Sequence, residues 1–503
     1  MKDQKKAGVI LSYAGQLVHI LSGIIYTPIM LRLLGQNEYG LYHLVYSVVS
    51  YLGLLNLGFN AAYMRFYARA KVSDDKNGVA KLNGMFLLIF GVISAVCVLC
   101  GIVMLTNIHG LFGEGLSEQE YATAEILMIM MVINLALSFP GSVFNCIITS
   151  QERFVFQKTV QLLQYIASPF LTLPLLLLGY GSIGMVSVTT FLTVFVLAVN
   201  IYYCFIKLRT KVCFKGLKFS LLREMWVFTF FIFLNQIIDQ VNWSVDKFLL
   251  GRILGTAAVA VYGIGGQINT LYLQFSVSVS NVFVPKVNKI VAETDDNKEI
   301  TRLFTKVGRI QFIIMMLILT GFIFLGQDFI KVWAGEGYDE SYYVALCLLI
   351  PVTVPLIQNL GIEIQRAKNK HKARSVVYFC IAVVNVFISI PLIQFFGPVG
   401  AAFGTTIALT AGNILFMNWY YHKKIGIDIL YFWKNIVSFI PGLIIPCIAG
   451  VVYMLIPHPG NIAVLVVSVI VYSAVYCLSM FFLGMNKEEK SLITGPLKRK
   501  IKR

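Results

Sequence analysis

Arg32-Leu33-Leu34-Gly35 closes one apolar run, and Arg252-Ile253-Leu254-Gly255 closes another 220 residues later. Tyr42 falls on Tyr262 at the same offset. Asp74-Asp75 return as Asp295-Asp296 at an offset of 221, and Gly181, Gly184, Thr189 and Thr190 return as Gly397, Gly400, Thr405 and Thr406 at 216. The matches are collinear, which marks an internal duplication. Working outward from them gives fourteen apolar segments long enough to cross a bilayer as helices. They are 9–34, 40–62, 82–106, 121–148, 159–180, 183–206, 225–250, 256–284, 310–333, 341–364, 375–396, 399–421, 435–457 and 461–484. Twelve of them form two copies of six. Six is even, so both copies enter from the same side, and a parallel repeat of that kind implies a pseudo-two-fold axis along the membrane normal with a cleft between two bundles. The expected architecture is all-α and polytopic: an N-lobe at 1–215, a C-lobe at 216–430, an appended unrepeated helix pair at 431–486 and a basic tail at 487–503.

Composition agrees. Of 503 residues, 58% are hydrophobic and only 13% charged, against about 25% charged in a soluble domain; mean hydropathy is +0.77. The formal charge of +17 raises nucleic acid or a membrane surface as partner, and the placement of the basic residues decides. Of 41 Lys and Arg, 37 fall on the two ends and on alternate connections, for example five from Arg65 to Lys81 and six from Lys286 to Arg309. Only Arg32, Lys247, Arg252 and Lys331 lie toward the other side. The positive-inside rule then puts both termini in the cytoplasm, and the basic residues face lipid headgroups rather than nucleic acid. The first apolar run is too long for a signal peptide and lacks a small-residue cleavage site.

The longest external connection, Asn107 to Glu120, has acids but no Lys or Arg. It is too short for a catalytic domain, and no phosphate-binding loop pattern occurs, so an enzyme is not expected. No cofactor is expected either; the energy source is a proton or sodium gradient, a substrate gradient or a partner. The nine Cys are scattered and mostly within apolar runs. Cys97 and Cys100 read as small apolar side chains, not as a metal site or a disulfide framework. Gly179-Tyr180-Gly181-Ser182-Ile183-Gly184 spells a dinucleotide fingerprint, but it joins two membrane spans, and no Asp or Glu occurs between Arg153 and Arg223. A real fingerprint follows a strand and has an acid about twenty residues on, so this one reads as a tight turn.

Polar groups inside a bilayer are costly and face a cavity or a neighbouring helix. In the seventh span, Asn235, Asp239, Asn242 and Asp246 are spaced 4, 3 and 4 and share one face, with Lys247 beside them. The first span carries Ser12, Gln16, His19, Gly23 and Tyr26; the second Tyr42, Tyr46, Gly53, Asn56 and Asn60; the eighth Tyr262, Gln267, Asn269, Tyr272 and Gln274. Spans 1, 2, 7 and 8 are therefore the expected cleft lining. Asp239, at mid-span, is a proton or cation site, a ligand for substrate hydroxyls, or a protonated acid bonded to a neighbouring helix. Asp246 caps or pairs, or serves the pathway, and Lys247 snorkels or serves it. Arg32 and Arg252 either attract an anionic headgroup or lock the turn that follows, and His19 is a ligand or an interior histidine.

Thr27-Pro28-Ile29-Met30-Leu31-Arg32-Leu33-Leu34-Gly35-Gln36-Asn37-Glu38-Tyr39-Gly40-Leu41-Tyr42 resembles the first-hairpin signature of polysaccharide flippases of the Wzx type. Asn56-Leu57-Gly58-Phe59 with Arg65-Phe66-Tyr67, and Asp246-Lys247-Phe248-Leu249-Leu250-Gly251 with Gly255 and Tyr262, resemble the end of their second helix and the start of their second lobe. The resemblance covers nearly the whole chain, including the count of six, six and two helices. It implies the multidrug/oligosaccharidyl-lipid/polysaccharide exporter superfamily, whose members work by alternating access between two lobes. It further implies an oligosaccharide on undecaprenyl pyrophosphate as substrate, a bacterial inner membrane, the polysaccharide polymerase machinery as partner and a lipid-tail groove beside the last two helices. Family cavities hold basic residues for the pyrophosphate; here the candidates are His19, Lys247, Arg32 and Arg252. Asn, Gln, Tyr and Asp side chains suit sugar hydroxyls. Three rivals stay open: an ion-coupled multidrug antiporter, a lipid II flippase of the same superfamily and, disfavoured by the short external loops, a membrane-embedded glycan polymerase or ligase.

Overall fold

The computed structural model describes residues 2–72, 76–113, 115–216, 220–294, 296–368, 370, 372–457, 460–491 and 494, and the side chains of these except 2–6, 9, 10, 76, 220–222, 227, 228, 231, 235, 239, 242, 243 and 372. Every regular element among them is helical. Nine helices in this set are long and apolar enough to cross a membrane, or ten if Ile429–Val437 and Ile440–Leu455, bent by 46°, form one span. The apolar stretch Leu11–Val72 has 62 residues. Straight, it would run about 93 Å at 1.5 Å per residue, three times a hydrocarbon core of about 30 Å, so it has to turn back. The chain divides into two compact units, Met1–Ala260 and Val261–Arg503.

In the first unit, α1 (Lys2–Val49) is two rods meeting at Gly35, whose φ of 76° and ψ of 170° are non-helical. A Cβ there would touch nothing within 4 Å, so glycine is used for its torsion and not for space. The second rod ends in a 3-10 turn, Ser50–Asn56. Leu57 and Gly58 follow with φ of 51° and 73°, and α2 (Phe59–Val72) then resumes. α3 (Lys76–Thr106), the short α4 (Ile108–Phe112), α5 (Glu118–Ser150), α6 (Phe154–Leu177), α7 (Gly181–Tyr202) and α8 (Ser220–Leu254) complete the unit. α5 starts with a full capping box between Ser117 and Glu120, which satisfies two otherwise orphaned amides. The Gly179–Gly184 stretch is indeed the turn between α6 and α7: Gly179 and Gly181 have φ of 84° and 52°, and the Ser182 amide and hydroxyl donate to Glu38 at 2.6 and 2.8 Å. Phe59, Phe90 and Phe139 stack through the interior. Tyr63 donates to Asn83 at 2.7 Å, and Asn83 in turn donates to the Lys211 carbonyl at 3.0 Å, which ties the α7–α8 connection to α3.

α9 (Thr256–Glu293) follows Gly255, where φ is 88°. The second unit then holds α10 (Asn297–Trp333), α11 (Glu340–Ile357), α12 (Leu360–Ala367), α13 (Lys372–Leu409), α14 (Met417–Tyr420), α15 (Ile429–Val437), α16 (Ile440–Leu455) and α17 (Ile462–Ser479). α13 breaks at Gly397, with φ 59° and ψ −140°. The residues on either side of that break repack tightly, since a Cβ at Gly400 would run into the Leu392 carbonyl. Both glycine pairs of the duplication, Gly35 with Gly255 and Gly181 with Gly397, thus have positive φ. α10 is the axis of this unit: its buried Phe304, Val307, Met315 and Leu319 share one core with α11, α15 and α17.

Candidate translocation site

The second rod of α1 and α8 pack against each other inside the first unit. Helix interruption makes the site. A 3-10 segment followed by two residues of positive φ leaves backbone groups outside an α-helical ladder, which at membrane depth is tolerated only where protein or a cavity receives them. Gly58 is needed twice over: its torsion is left-handed, and a Cβ would lie 2.8 Å from Ile232 Cγ2 on α8. Across this break the Gln240 amide donates to Ser50 Oγ at 2.5 Å and to Ser244 Oγ at 2.7 Å. The Asn56 Oδ1 is buried without a hydrogen-bond partner among the described residues, and so is Gln236 Oε1. Such acceptors await a donor such as a hydroxyl.

Charge lies one turn away. Asp246 is buried, at 1% exposure, and Lys247 is half-buried next to it. Tyr51 feels the charge of Asp246, and His43 that of Lys247. The His43 ring is held by Tyr39 and Tyr42, with centroids at 4.4 and 5.2 Å, and its Nδ1 has no hydrogen-bond partner among the described residues. The arrangement can accept and donate hydrogen bonds with amides and hydroxyls and offers a cation beside an imidazole. No group of three or more metal-ligating side chains occurs among the described residues.

Of the residues expected from sequence, Asn56 lies at the break beside Gly58, whereas Asp246 and Lys247 lie further along α8, about 15 Å beyond Gln236 at 1.5 Å per residue. Gln16 is half-buried and His19 exposed on the first rod of α1; the His19 ring lies 4.6 Å from that of Tyr165 on α6. Arg32 is exposed near the end of the first rod of α1 and Arg252 near the end of α8, with the Arg252 stem beside Gly113. The side chains of Asn235, Asp239 and Asn242 lie outside the described residues. In the eighth span, Asn269 and Tyr272 are buried, each at 1% exposure. Tyr272 donates to the Met315 carbonyl at 3.1 Å and meets Thr353 Oγ1 at 2.8 Å, so its hydroxyl ties the second unit's core together, whereas Asn269 Oδ1 and Gln274 Oε1 are buried with no hydrogen-bond partner among the described residues.

Sequence reasoning missed His43, Ser50, Gln240 and Ser244. Gln236, Gln240 and Ser244 recur every four residues with Lys247 three further on, a second polar stripe on the same helix that was legible beside the one containing Asp239. The Gly53 and Gly58 pair was the sign of the break.

Comparison with known proteins follows the same lines. A family model described as polysaccharide biosynthesis protein matches residues 6–291, which contain the whole of this site. A Shigella flexneri protein named as an O-antigen transporter is 21% identical over 407 residues, covering 79% of this chain and 92% of that one. Among solved structures, the lipid II flippase MurJ in an inward closed conformation has a TM-score of 0.73 at 16% identity, covering 97% of this chain and 99% of that one. An inward-facing multidrug resistance MATE family transporter of the MOP superfamily has a TM-score of 0.65 at 16% identity, covering 83% and 96%. These two likenesses concern the fold. With the family model covering more than half of its length, the chain belongs to the family of polysaccharide biosynthesis proteins.

Proposed function

We propose that the protein is a flippase that moves a lipid-linked oligosaccharide across the bacterial inner membrane for surface polysaccharide synthesis. The carrying observation is the interrupted second span, where Ser50, Asn56, Gln236, Gln240 and Ser244 offer neutral hydrogen-bonding groups with Lys247 and His43 adjacent. Neutral amides and hydroxyls suit a many-hydroxyl sugar, and the cation suits a phosphate that cannot enter hydrocarbon unaided. The polyprenyl tail stays in lipid. The name of the Shigella relative, an O-antigen transporter, points to the same class of cargo.

The reading includes fourteen crossings in two six-helix lobes and an appended pair, both termini in the cytoplasm and alternating access. The breaks at Gly35 and Gly397, each dividing a helix too long to be one span, support that count. Coupling to a proton or sodium gradient is assigned to Asp239, and a polymerase receives the product. The test is depletion in the host, followed by analysis of the lipid-linked intermediates. Accumulation of an oligosaccharide-linked polyprenyl pyrophosphate with loss of surface glycan is the expected result. Intact glycan with heightened drug sensitivity would instead mark an antiporter, and arrest of wall synthesis a lipid II flippase.

A further inference from the structure

At one end of the second unit, α9, α10, α15 and the segment after α17 enclose a cavity of about 380 Å³. One wall is fixed. Arg309 of α10 is buried at 5% exposure and forms a two-pronged ion pair with Glu489, Nε to Oε1 at 2.5 Å and Nη2 to Oε2 at 2.9 Å. Its Nη1 donates to Ser438 Oγ at 2.7 Å and to the Asn435 carbonyl, and the guanidinium sits 4.1 Å over the Phe439 ring. Glu489 also closes a capping box with Asn486. Both charges are spent on each other, so this pair builds the wall and binds nothing further.

The remaining charge in the cavity is uneven. Lys306 pairs with Glu488 at 3.0 Å, but both side chains are at least half exposed, and such a pair is worth little and opens readily. Lys286 and Arg302 line the same space, and neither has an ion-pair partner among the described residues; Glu299, one turn before Arg302 on α10, lines it too, so that with Glu488 and Glu489 three carboxylates stand against four cations. Thr305 also lines it: the residue is 4% exposed, and its hydroxyl oxygen is buried with no hydrogen-bond partner among the described residues. An orphaned buried hydroxyl costs stability until a ligand satisfies it. Two cations from different helices lining one hollow, with a buried hydroxyl in its wall that has no hydrogen-bond partner among the described residues, suit an anion with several oxygens.

The rim says where that anion comes from. α15 turns Ile429, Phe432 and Ile436 inward, while Leu430 and Val437 are 74% and 54% exposed. Its Tyr431 and Asn435 line the cavity. In a protein that lies in lipid, that outer apolar face meets acyl chains while its polar edge meets the hollow, as in an interfacial helix. We propose that the cavity is a binding site for the phosphate headgroup of an anionic membrane lipid, held by Lys286, Arg302 and the Thr305 hydroxyl.

Native mass spectrometry of the detergent-purified full-length protein, titrated with phosphatidylglycerol, phosphatidylcholine or inorganic phosphate, tests this. Two basic residues at a lipid surface predict a preference for phosphatidylglycerol over phosphatidylcholine of roughly thirtyfold. Lys286→Ala with Arg302→Ala should remove it, and because both side chains are exposed and unpaired the protein should fold normally. Thr305→Val separates a ligand from a structural role. It should lower phosphatidylglycerol affinity about fivefold while leaving the melting temperature without anionic lipid unchanged or higher. Equal binding of the two lipids, a preference that survives the double substitution, or inorganic phosphate binding as tightly as the lipid would each overturn the proposal. The readout is binding without translocation, so this result and that of the flippase test are separable.

Discussion

The second span of the first repeat and its counterpart in the second repeat share a register and differ in construction. In the first, Ser50–Asn56 is a 3-10 turn followed by Leu57 and Gly58 at positive φ. At the offset of 220, Gly53 becomes Leu273 and Gly58 becomes Ser278, and α9 runs unbroken from Thr256 to Glu293. The polar residues at that level also part ways. Ser276, the counterpart of Asn56, donates to the Leu356 carbonyl at 2.8 Å and accepts from Gln311 at 3.1 Å. Asn56 Oδ1 has no hydrogen-bond partner among the described residues. The sequence match pairs the two helices, and two glycines present in one and replaced in the other separate a broken helix from a continuous one. On the proposed function, the expected consequence is a division of labour in which the hydrogen-bonded Tyr272 and Ser276 of α9 carry stability and the groups at the break carry transport.

The sharpest way to break that division is through the second unit's buried ion pair. Arg309→Met leaves Glu489 uncompensated in a buried position, and the expected loss is about 3–5 kcal/mol, seen as a lower melting temperature in detergent. Arg309→Met combined with Glu489→Leu should recover most of it, because removing both charges also removes the desolvation cost. A single substitution that costs less than about 1 kcal/mol, typical of exposed pairs, would show that the pair is not a structural tie. Gly58→Ala comes next. A left-handed alanine costs roughly 1–2 kcal/mol, and the Cβ contact with Ile232 adds about 1–3 kcal/mol of overpacking. Ile232→Ala should relieve the second part and not the first. Gly53→Ala, where a Cβ meets nothing within 4 Å, should be close to neutral. If Gly58→Ala is also neutral, in stability and in oligosaccharide translocation by proteoliposomes, the break is not what distinguishes the two spans.

Tyr272→Phe tests the structural side more finely. It deletes one hydroxyl that bonds the Met315 carbonyl and Thr353 in the buried core, and the expected loss is about 1 kcal/mol with translocation unchanged. A fall in translocation at normal stability would return Tyr272 to the cleft lining that its sequence position suggests.

Why these positions were or were not legible follows from the range of the interactions. Apolar spans, the duplicated Gly35 and Gly255, and the false fingerprint at Gly179–Gly184 are decided within one helix or one turn, and the sequence carries that information. Arg309 counted simply as one of six basic residues on a connection, yet its partner Glu489 is 180 positions on, in a tail whose seven Lys and Arg outnumber its two acids. Polar stripes fall between these cases. Periodicity says that a face is polar but not what it meets, so Tyr272 looked like a cleft residue although a core receives it. On α8 two polar faces coexist, and nothing local chooses between Asp239 and Gln240.

That choice sets the last and smallest stability effect. Gln240→Leu removes the donor that spans Ser50 and Ser244. Interhelical hydrogen bonds in membrane proteins average about 0.6 kcal/mol, so the melting temperature should barely move. The two serines can then still meet each other at 3.5 Å, which keeps the helices in register. Translocation should nevertheless fall about tenfold or more, because a Leu at this level offers hydrocarbon where a sugar hydroxyl would displace the amide, at a cost of about 1–3 kcal/mol per unmatched polar group. Measured side by side in proteoliposomes and by thermal unfolding, Tyr272→Phe and Gln240→Leu should therefore show opposite patterns: a stability loss with transport kept in the first, and a transport loss with stability nearly kept in the second. Equal patterns would mean that the broken and the unbroken span do the same work, and the glycine pair would then mark packing alone.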